Sequence, residues 1–186
     1  SSRVTSVAWS LDGRLASASD DGTVIIWDTN SGKPAQTLED HSSWGTSVAW
    51  SPDGRLASSS TDDTVIVWDA DTGQPAQTLL GHSDSVSSVA WSPDGRLAHS
   101  QGEIVAIWNT DDINQLAQTL LGHSDRVRSV AWSPDGRLAS ASDDSTVIIW
   151  DTNSDKPAQT LEGHSSGVNS VAWSLDGRLA SASDDG

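Results

Sequence analysis

Short apolar runs alternate with turn residues along the whole chain. In one representative stretch the runs cover residues 48–50, 56–60, 65–68 and 76–80, and each has the length of a β-strand. The segment Ser51-Pro52-Asp53-Gly54 has the residues of a type I turn, and Asp21-Gly22 has those of a hairpin turn. The pattern therefore predicts short antiparallel strands joined by tight turns.

This set of four strands repeats along the chain. The motif Ser-Val-Ala-Trp recurs every 41 residues and ends at Trp9, Trp50, Trp91, Trp132 and Trp173. The repeat divides the chain into units 1–40, 41–81, 82–122 and 123–163 and a half unit, 164–186. One four-stranded sheet of this size cannot cover both of its own faces, so the copies must stack face to face. Radial stacking of such sheets gives a β-propeller.

The repeated motifs resemble those of the WD-repeat family. Gly81-His82, the Ser-Pro-Asp-Gly turn and Trp68-Asp69 are similar to its signature, although Trp replaces the usual Phe of the first strand. The resemblance implies an all-β WD-repeat propeller with four complete four-stranded blades and a C-terminal two-stranded half-blade. We expect a second chain to complete the ring, which would then hold eight or nine blades.

The resemblance also implies structural tetrads, in which Asp accepts from His, His reaches Ser, and Ser meets Trp. These hydrogen bonds would fasten a loop to its blade. The implied sets are His41, Ser58, Asp62 and Trp68; His123, Ser140, Asp144 and Trp150; and, across the chain ends, His164, Ser181, Asp185 and Trp27.

The same residue types occur in hydrolase triads, so an enzyme is the alternative interpretation. An active site needs one nucleophile in one pocket, whereas this set recurs from unit to unit. The recurrence favours the structural role. We therefore expect no catalytic residues, no cofactor and no metal.

The third unit departs from the pattern, with His99 where Ser is expected and Gly102 where Asp is expected. We expect its network to be broken and its blade to be weaker by about 1.5–3 kcal/mol, the contribution of a hydrogen bond to a charged partner. The alternative is a ligand site built from His99, Gln101 and Glu103. Only two of these residues are possible metal ligands, and no third ligand lies at a suitable spacing in the sequence. The alternative therefore has weak support.

Paired acids at the turns raise the possibility of calcium binding. They are Asp20-Asp21, Asp62-Asp63 and Asp143-Asp144. One member of a pair already belongs to a tetrad, and Asp is favoured at turns for local hydrogen bonding. Solvated turn residues are therefore the preferred interpretation, with calcium as the alternative.

Two nearly identical hairpins compete for one pair of strands. Residues 1–22 and 165–186 match at 20 of 22 positions, and either could pair with residues 23–39. Only the second carries a Gly-His, so its tetrad would be completed by Trp27, and we expect it to be the better partner. We expect a homodimer joined through the half-blade and the terminal blade faces; an excised part of a longer propeller is the alternative.

Residues that differ between copies at equivalent exposed places are the candidates for partner binding, because framework residues pack. By the family resemblance they line the top face: Trp44, Arg3, Arg126, Arg128, Thr46, Ser85 and Asn169. Trp44 either contacts a partner or covers a gap left by Gly45. Arg126 and Arg128 either receive a carboxylate or phosphorylated segment, or pair with Asp125 and Asp143.

Composition narrows the partner classes. A net charge of -16 repels phosphate backbones, so we expect no nucleic acid, and no apolar stretch is long enough to suggest a membrane span. The absence of cysteine fits a reducing compartment, and we expect a cytoplasmic or a recombinant protein. The favoured function is a protein-interaction scaffold that binds a protein or peptide ligand. The alternative is a recently amplified or engineered repeat with no selected ligand.

Overall fold

A computed structural model describes residues 2–80, 82–109, 116–154 and 156–186. Within those ranges the chain forms strands and turns and no helix. The first eight strands are β1 Val4–Trp9, β2 Leu15–Ser19, β3 Val24–Asp28, β4 Lys33–Leu38, β5 Gly45–Trp50, β6 Leu56–Ser60, β7 Val65–Asp69 and β8 Gln74–Leu79. The others are β9 Val86–Trp91, β10 Leu97–Gln101, β11 Ile104–Trp108, β12 Leu116–Leu120, β13 Val127–Trp132, β14 Leu138–Ser142, β15 Val147–Asp151, β16 Lys156–Leu161, β17 Val168–Trp173 and β18 Leu179–Ser183.

The strands form four four-stranded antiparallel sheets and one two-stranded sheet, each with its strands in sequence order. These are blades 1 to 4 and the half-blade β17–β18, so the predicted all-β architecture of repeated blades is confirmed. The chain divides into two compact units, Ser1–Val89 and Ala90–Gly186, and the division falls within β9.

The first turn of each blade depends on glycine. In blade 2 the amide of Gly54 donates to the carbonyl of Ser51 over 3.1 Å, and Gly54 has a φ of 90°. Glycine adopts this left-handed conformation without the steric cost that a Cβ atom would bring. The second turn is less uniform, because Asp63 and Ser145 take positive φ angles of 64° and 69° where blade 1 has Gly22.

Within the first unit, blades 1 and 2 pack face to face. Ala16, Ala18, Val24, Ile26 and Leu38 of blade 1 form one buried cluster with Val48, Leu56, Ile66, Trp68 and Ala70. The indole of Trp50 donates to the carbonyl of Ala8 over 3.2 Å, and the guanidinium of Arg14 lies 4.6 Å from the Trp50 ring. A phenylalanine could not make this bond, which gives the unusual tryptophan of the first strand a structural purpose.

Within the second unit, blade 4 and the half-blade repeat these contacts. The indole of Trp173 donates to the carbonyl of Ala131 over 3.1 Å, and the guanidinium of Arg137 lies 4.5 Å from the Trp173 ring. Val171 and Val168 are buried in one cluster with Ala139 and Ala141. The half-blade is therefore docked on blade 4 in the same way as blade 2 is docked on blade 1.

The pairing of β3 differs from our expectation. Strand β3 pairs with β2 of the N-terminal hairpin, with Leu15 opposite Trp27, and β17–β18 stays two-stranded. Within one chain Trp27 therefore does not join the set of His164, whereas its pairing with residues 165–186 of another chain stays a prediction.

Candidate functional site

A hydrogen-bonded chain of side chains crosses blade 2. The Nδ1 atom of His41 lies 3.1 Å from the Asp62 carboxylate, and its Nε2 atom lies 2.8 Å from the Ser58 hydroxyl. The indole of Trp68 donates to the same hydroxyl oxygen over 2.8 Å. The carboxylate also accepts from the amide of Ser42 over 2.8 Å, so the chain ties the loop before β5 to the interior of the blade.

Burial and hydrogen bonding together set the charge states of His41 and Asp62. It lowers the pKa of His41 below the ordinary 6.5, and the attraction of Asp62 offsets only part of that effect. Burial by itself raises the pKa of Asp62, but hydrogen bonds from Thr64, Ser42 and His41 outweigh it and leave the pKa below its ordinary value. The histidine is thus neutral and the aspartate ionised at neutral pH. Because Ser58 is fully buried and bonded on both sides, its hydroxyl is closed to a substrate.

Blade 4 contains the same arrangement. His123 lies 2.8 Å from the Asp144 carboxylate and 2.7 Å from the Ser140 hydroxyl, and Trp150 donates to that hydroxyl over 2.8 Å. The four side chains are brought together from the loop before β13, from β14, from the turn after it and from β15.

The half-blade holds three members of such a set. His164 lies 3.1 Å from the Asp185 carboxylate and 2.8 Å from the Ser181 hydroxyl. The expected fourth member, Trp27, donates instead to Ser17 of its own blade over 2.9 Å.

The third blade is rewired, which corrects the expectation of a simply broken network. His99 is fully buried, and its Nε2 atom accepts the indole N–H of Trp108 over 2.9 Å, so it replaces the missing serine as acceptor. His82 donates through Nδ1 to the carbonyl of Asp63 over 2.8 Å. The sequence showed the substitution but not that His99 keeps the acceptor role of serine, although an imidazole nitrogen and a hydroxyl both accept a hydrogen bond.

The acidic pairs are engaged in local contacts. Asp21 accepts from Thr23, Asp62 belongs to the tetrad of His41, and Asp143 pairs with Arg128. In the part of the chain that the structure describes, no three His, Asp or Glu side chains converge as a metal site would require.

Several predicted partner-binding residues contact their own chain. Arg3 lies 3.1 Å from Asp20, and Arg128 lies 2.6 Å from Asp143. Asn169 donates to Asp184 over 2.5 Å, at the equivalent place in the half-blade. Of the two interpretations of Arg128, the structure shows the ion pair with Asp143.

Thr46 also contacts its own chain. Its hydroxyl donates to the carbonyl of Val86 over 2.6 Å and therefore links β5 to β9 within the first unit.

Trp44 remains exposed. Its side chain is 57% accessible, while its carbonyl accepts from the amide of Thr61 over 3.0 Å. A Cβ atom on Gly45 would lie 3.2 Å from the carbonyl oxygen of Ser19 and 3.3 Å from the Cβ of Ala18. Blade 1 thus already fills the space beside Gly45, and there is no gap for Trp44 to cover. Ser85 and Arg126 lie partly exposed at the equivalent places of later blades.

Comparisons with known proteins agree with this geometry. The family model described as "WD domain, G-beta repeat" matches residues 1–28, 32–69, 73–109, 114–151 and 155–186. No curated protein matches the chain. Within the described ranges, no helix has the length and apolar character needed to cross a membrane. Five matches over nearly the whole length show that the chain belongs to the WD-repeat family.

Proposed function

We propose that this chain is a non-catalytic scaffold that binds a protein or peptide ligand at the loop before β5, which contains Trp44. The observation that carries the proposal is the exposure of Trp44, which is 57% accessible. Because blade 1 already fills the space beside Gly45, Trp44 does not cover a gap in its own chain. Tryptophan is among the residues that contribute most to binding at interfaces. Ser85 occupies the equivalent place in the next blade of the same unit and extends the proposed surface.

The polar residues that resemble catalytic groups have other partners. The hydroxyls of Ser58 and Ser140 are fully buried under Trp68 and Trp150. A hydrolase would need one such hydroxyl next to bound substrate. Together with the interaction role that is general in the WD-repeat family, this supports a scaffold and not an enzyme. We also propose a cytoplasmic location, which fits the lack of cysteine.

Self-association is the second part of the proposal. The half-blade leaves Ala172, Ala180 and Ala182 exposed, whereas Ala16 and Ala18 at equivalent places in blade 1 are fully buried. We therefore propose a homodimer as the form in which the scaffold acts. An excised piece of a longer propeller, or a repeat protein with no selected ligand, are the competing proposals.

The ligand site can be tested with a random peptide library displayed on phage. We expect peptides selected on the intact chain to bind Trp44→Ala at least tenfold more weakly. Trp9→Ala is the matched control, because Trp9 is 62% exposed but lies in β1, on the exposed face of blade 1 with Val7 and not in the loop before a strand. Equal loss with both variants, or no loss with either, would contradict a site at Trp44.

A further inference from the structure

We propose that the half-blade contains a binding site for a tryptophan side chain. Strands β3 and β4 of a second copy would pair with the half-blade by strand exchange, and Trp27 of that copy would occupy the site. The inference rests on the proposed self-association and names the surface and the segment that would produce it. Three observations carry it: a cavity, a preset hydrogen-bond acceptor and a free strand edge.

The cavity lies between blade 4 and the half-blade. It has a volume of about 230 Å³ and is lined by Val147, Leu161, Glu162, Gly163, His164, Leu179 and Ser181. In blade 2 the buried Trp68 packs in one cluster with Val24, Leu38 and Leu56. Val147, Leu161 and Leu179 are the equivalents of these three residues, three repeats later in the sequence. The cavity therefore has the walls of a tryptophan site.

A hydrogen-bond acceptor is already in place in the cavity. Ser181 is held by His164, which is held in turn by Asp185. In blades 2 and 4 the equivalent hydroxyls also accept an indole N–H, and both are fully buried. Ser181 is exposed. The set of His164, Asp185 and Ser181 thus lacks only the tryptophan indole that donates to the equivalent serine in blades 2 and 4.

The neighbouring strand edge matches β3. Strand β18, Leu179–Ser183, has the same sequence as β2, Leu15–Ser19, to which β3 is paired. A strand added to the outer edge of β18 in that register would place Trp27 opposite Leu179. Main-chain bonding at a free edge supplies affinity, and pockets for alternate side chains supply specificity.

Strand exchange would conserve the backbone pairing of β3 and would bury more of the Trp27 side chain. In its own blade Trp27 is only partly buried and donates to Ser17, on the face where Val7 and Trp9 are exposed. On the half-blade of a second copy it would be covered by Val147 and Leu161. Ala180 and Ala182 of that copy would then lie under blade 2 of the first, as Ala16 and Ala18 do now. Reciprocal exchange between two copies gives a dimer.

Two matched substitutions distinguish the two pairings of Trp27. Ser181→Ala removes the acceptor used after exchange, and Ser17→Ala removes the acceptor used within one chain. Loss of a hydrogen bond that contributes about 1 kcal/mol changes an equilibrium constant about fivefold. We expect light scattering coupled to size exclusion to give twice 19.5 kDa for the intact chain. We expect Ser181→Ala to raise the dimer dissociation constant about fivefold or more and Ser17→Ala to lower it.

These measurements distinguish strand exchange from self-association by another route and from ligand binding at Trp44. A dimer on which both substitutions act equally, or not at all, would overturn the exchange and leave self-association by another route. A chain of 19.5 kDa at every concentration would overturn both, while ligand binding at Trp44 would still stand.

A cross-link gives an independent measurement, because the chain has no cysteine of its own. Ala18 and Val24 are cross-strand partners, so Ala18→Cys with Val24→Cys reports pairing within one chain. Ala182→Cys with Val24→Cys reports the exchanged pairing, and we expect it to give a covalent dimer on a non-reducing gel. Closure of the first pair without any covalent dimer from the second would also overturn the exchange.

Discussion

The indole nitrogen of Trp150 lies 2.8 Å from the hydroxyl oxygen of Ser140, and both side chains are buried. The same hydroxyl meets His123, so one small side chain satisfies two larger ones inside the blade. Removing it would leave the Nε2 atom of His123 and the indole N–H of Trp150 without this partner, which is more costly than losing one bond between exposed groups.

We expect Ser140→Ala to lower the free energy of unfolding by about 1–3 kcal/mol, the cost of leaving a buried polar group unsatisfied. Ser181→Ala is the matched control, because its hydroxyl is exposed and bonded to His164 without an indole. Urea unfolding at a concentration where the chain is monomeric measures both. Equal effects of the two substitutions would show that the network of blade 4 does not depend on burial.

Acidification is expected to destabilise the fold in two steps. The pKa of His123 is lowered by burial from 6.5, so the unfolded chain binds more protons and stability is lost as the pH falls through 6.5 towards the folded pKa. Burial by itself raises the pKa of Asp144, but the hydrogen bonds from Thr146, Ser124 and His123 bring it below 3.8. Its contribution is therefore present above 3.8 and lost below that pH.

Urea unfolding at a series of pH values between 7.5 and 5 measures the first step, and we expect His123→Asn to reduce its slope. His164→Asn serves as the control, since that ring is partly exposed. A stability that rises on acidification in this range would contradict the lowered pKa of the buried histidines.

The second turn offers a test of backbone strain. Ser145 has a φ of 69°, and relief of about 1–2 kcal/mol of left-handed strain exceeds the ~0.5–1 kcal/mol entropy cost of glycine. We therefore expect Ser145→Gly to raise the free energy of unfolding by about 0.5–1 kcal/mol.

The reverse change at the equivalent position of blade 1 is expected to destabilise. Gly22 has a φ of 83°, and a Cβ atom there would lie 2.9 Å from the carbonyl oxygen of Ser43 and 3.0 Å from that of His41. Gly22→Ala should lower the free energy of unfolding by about 1–3 kcal/mol in the same urea titration. Opposite signs for the two substitutions support strain as the cause; equal signs would contradict it.

Local pattern was sufficient to predict the strands and turns and the residues that line up in blades 2 and 4. It failed where an outcome depends on neighbours in space. The role of His99 follows from its distance to Trp108, and the exposure of Trp44 follows from the packing of Ala18 and Ser19 against Gly45. A sequence comparison of repeats shows that these positions differ, but it does not show what each one contacts.

The sequence by itself determined the repeated four-stranded blade and the family, because strand length, turn residues and the 41-residue period act locally and recur. It did not determine which hairpin pairs with β3, because Leu15–Ser19 and Leu179–Ser183 are identical. Only the tertiary structure decided that question within one chain. The short connection from Ser19 to Val24 makes closure with the N-terminal hairpin inexpensive in chain entropy, and β17–β18 is left with an open edge.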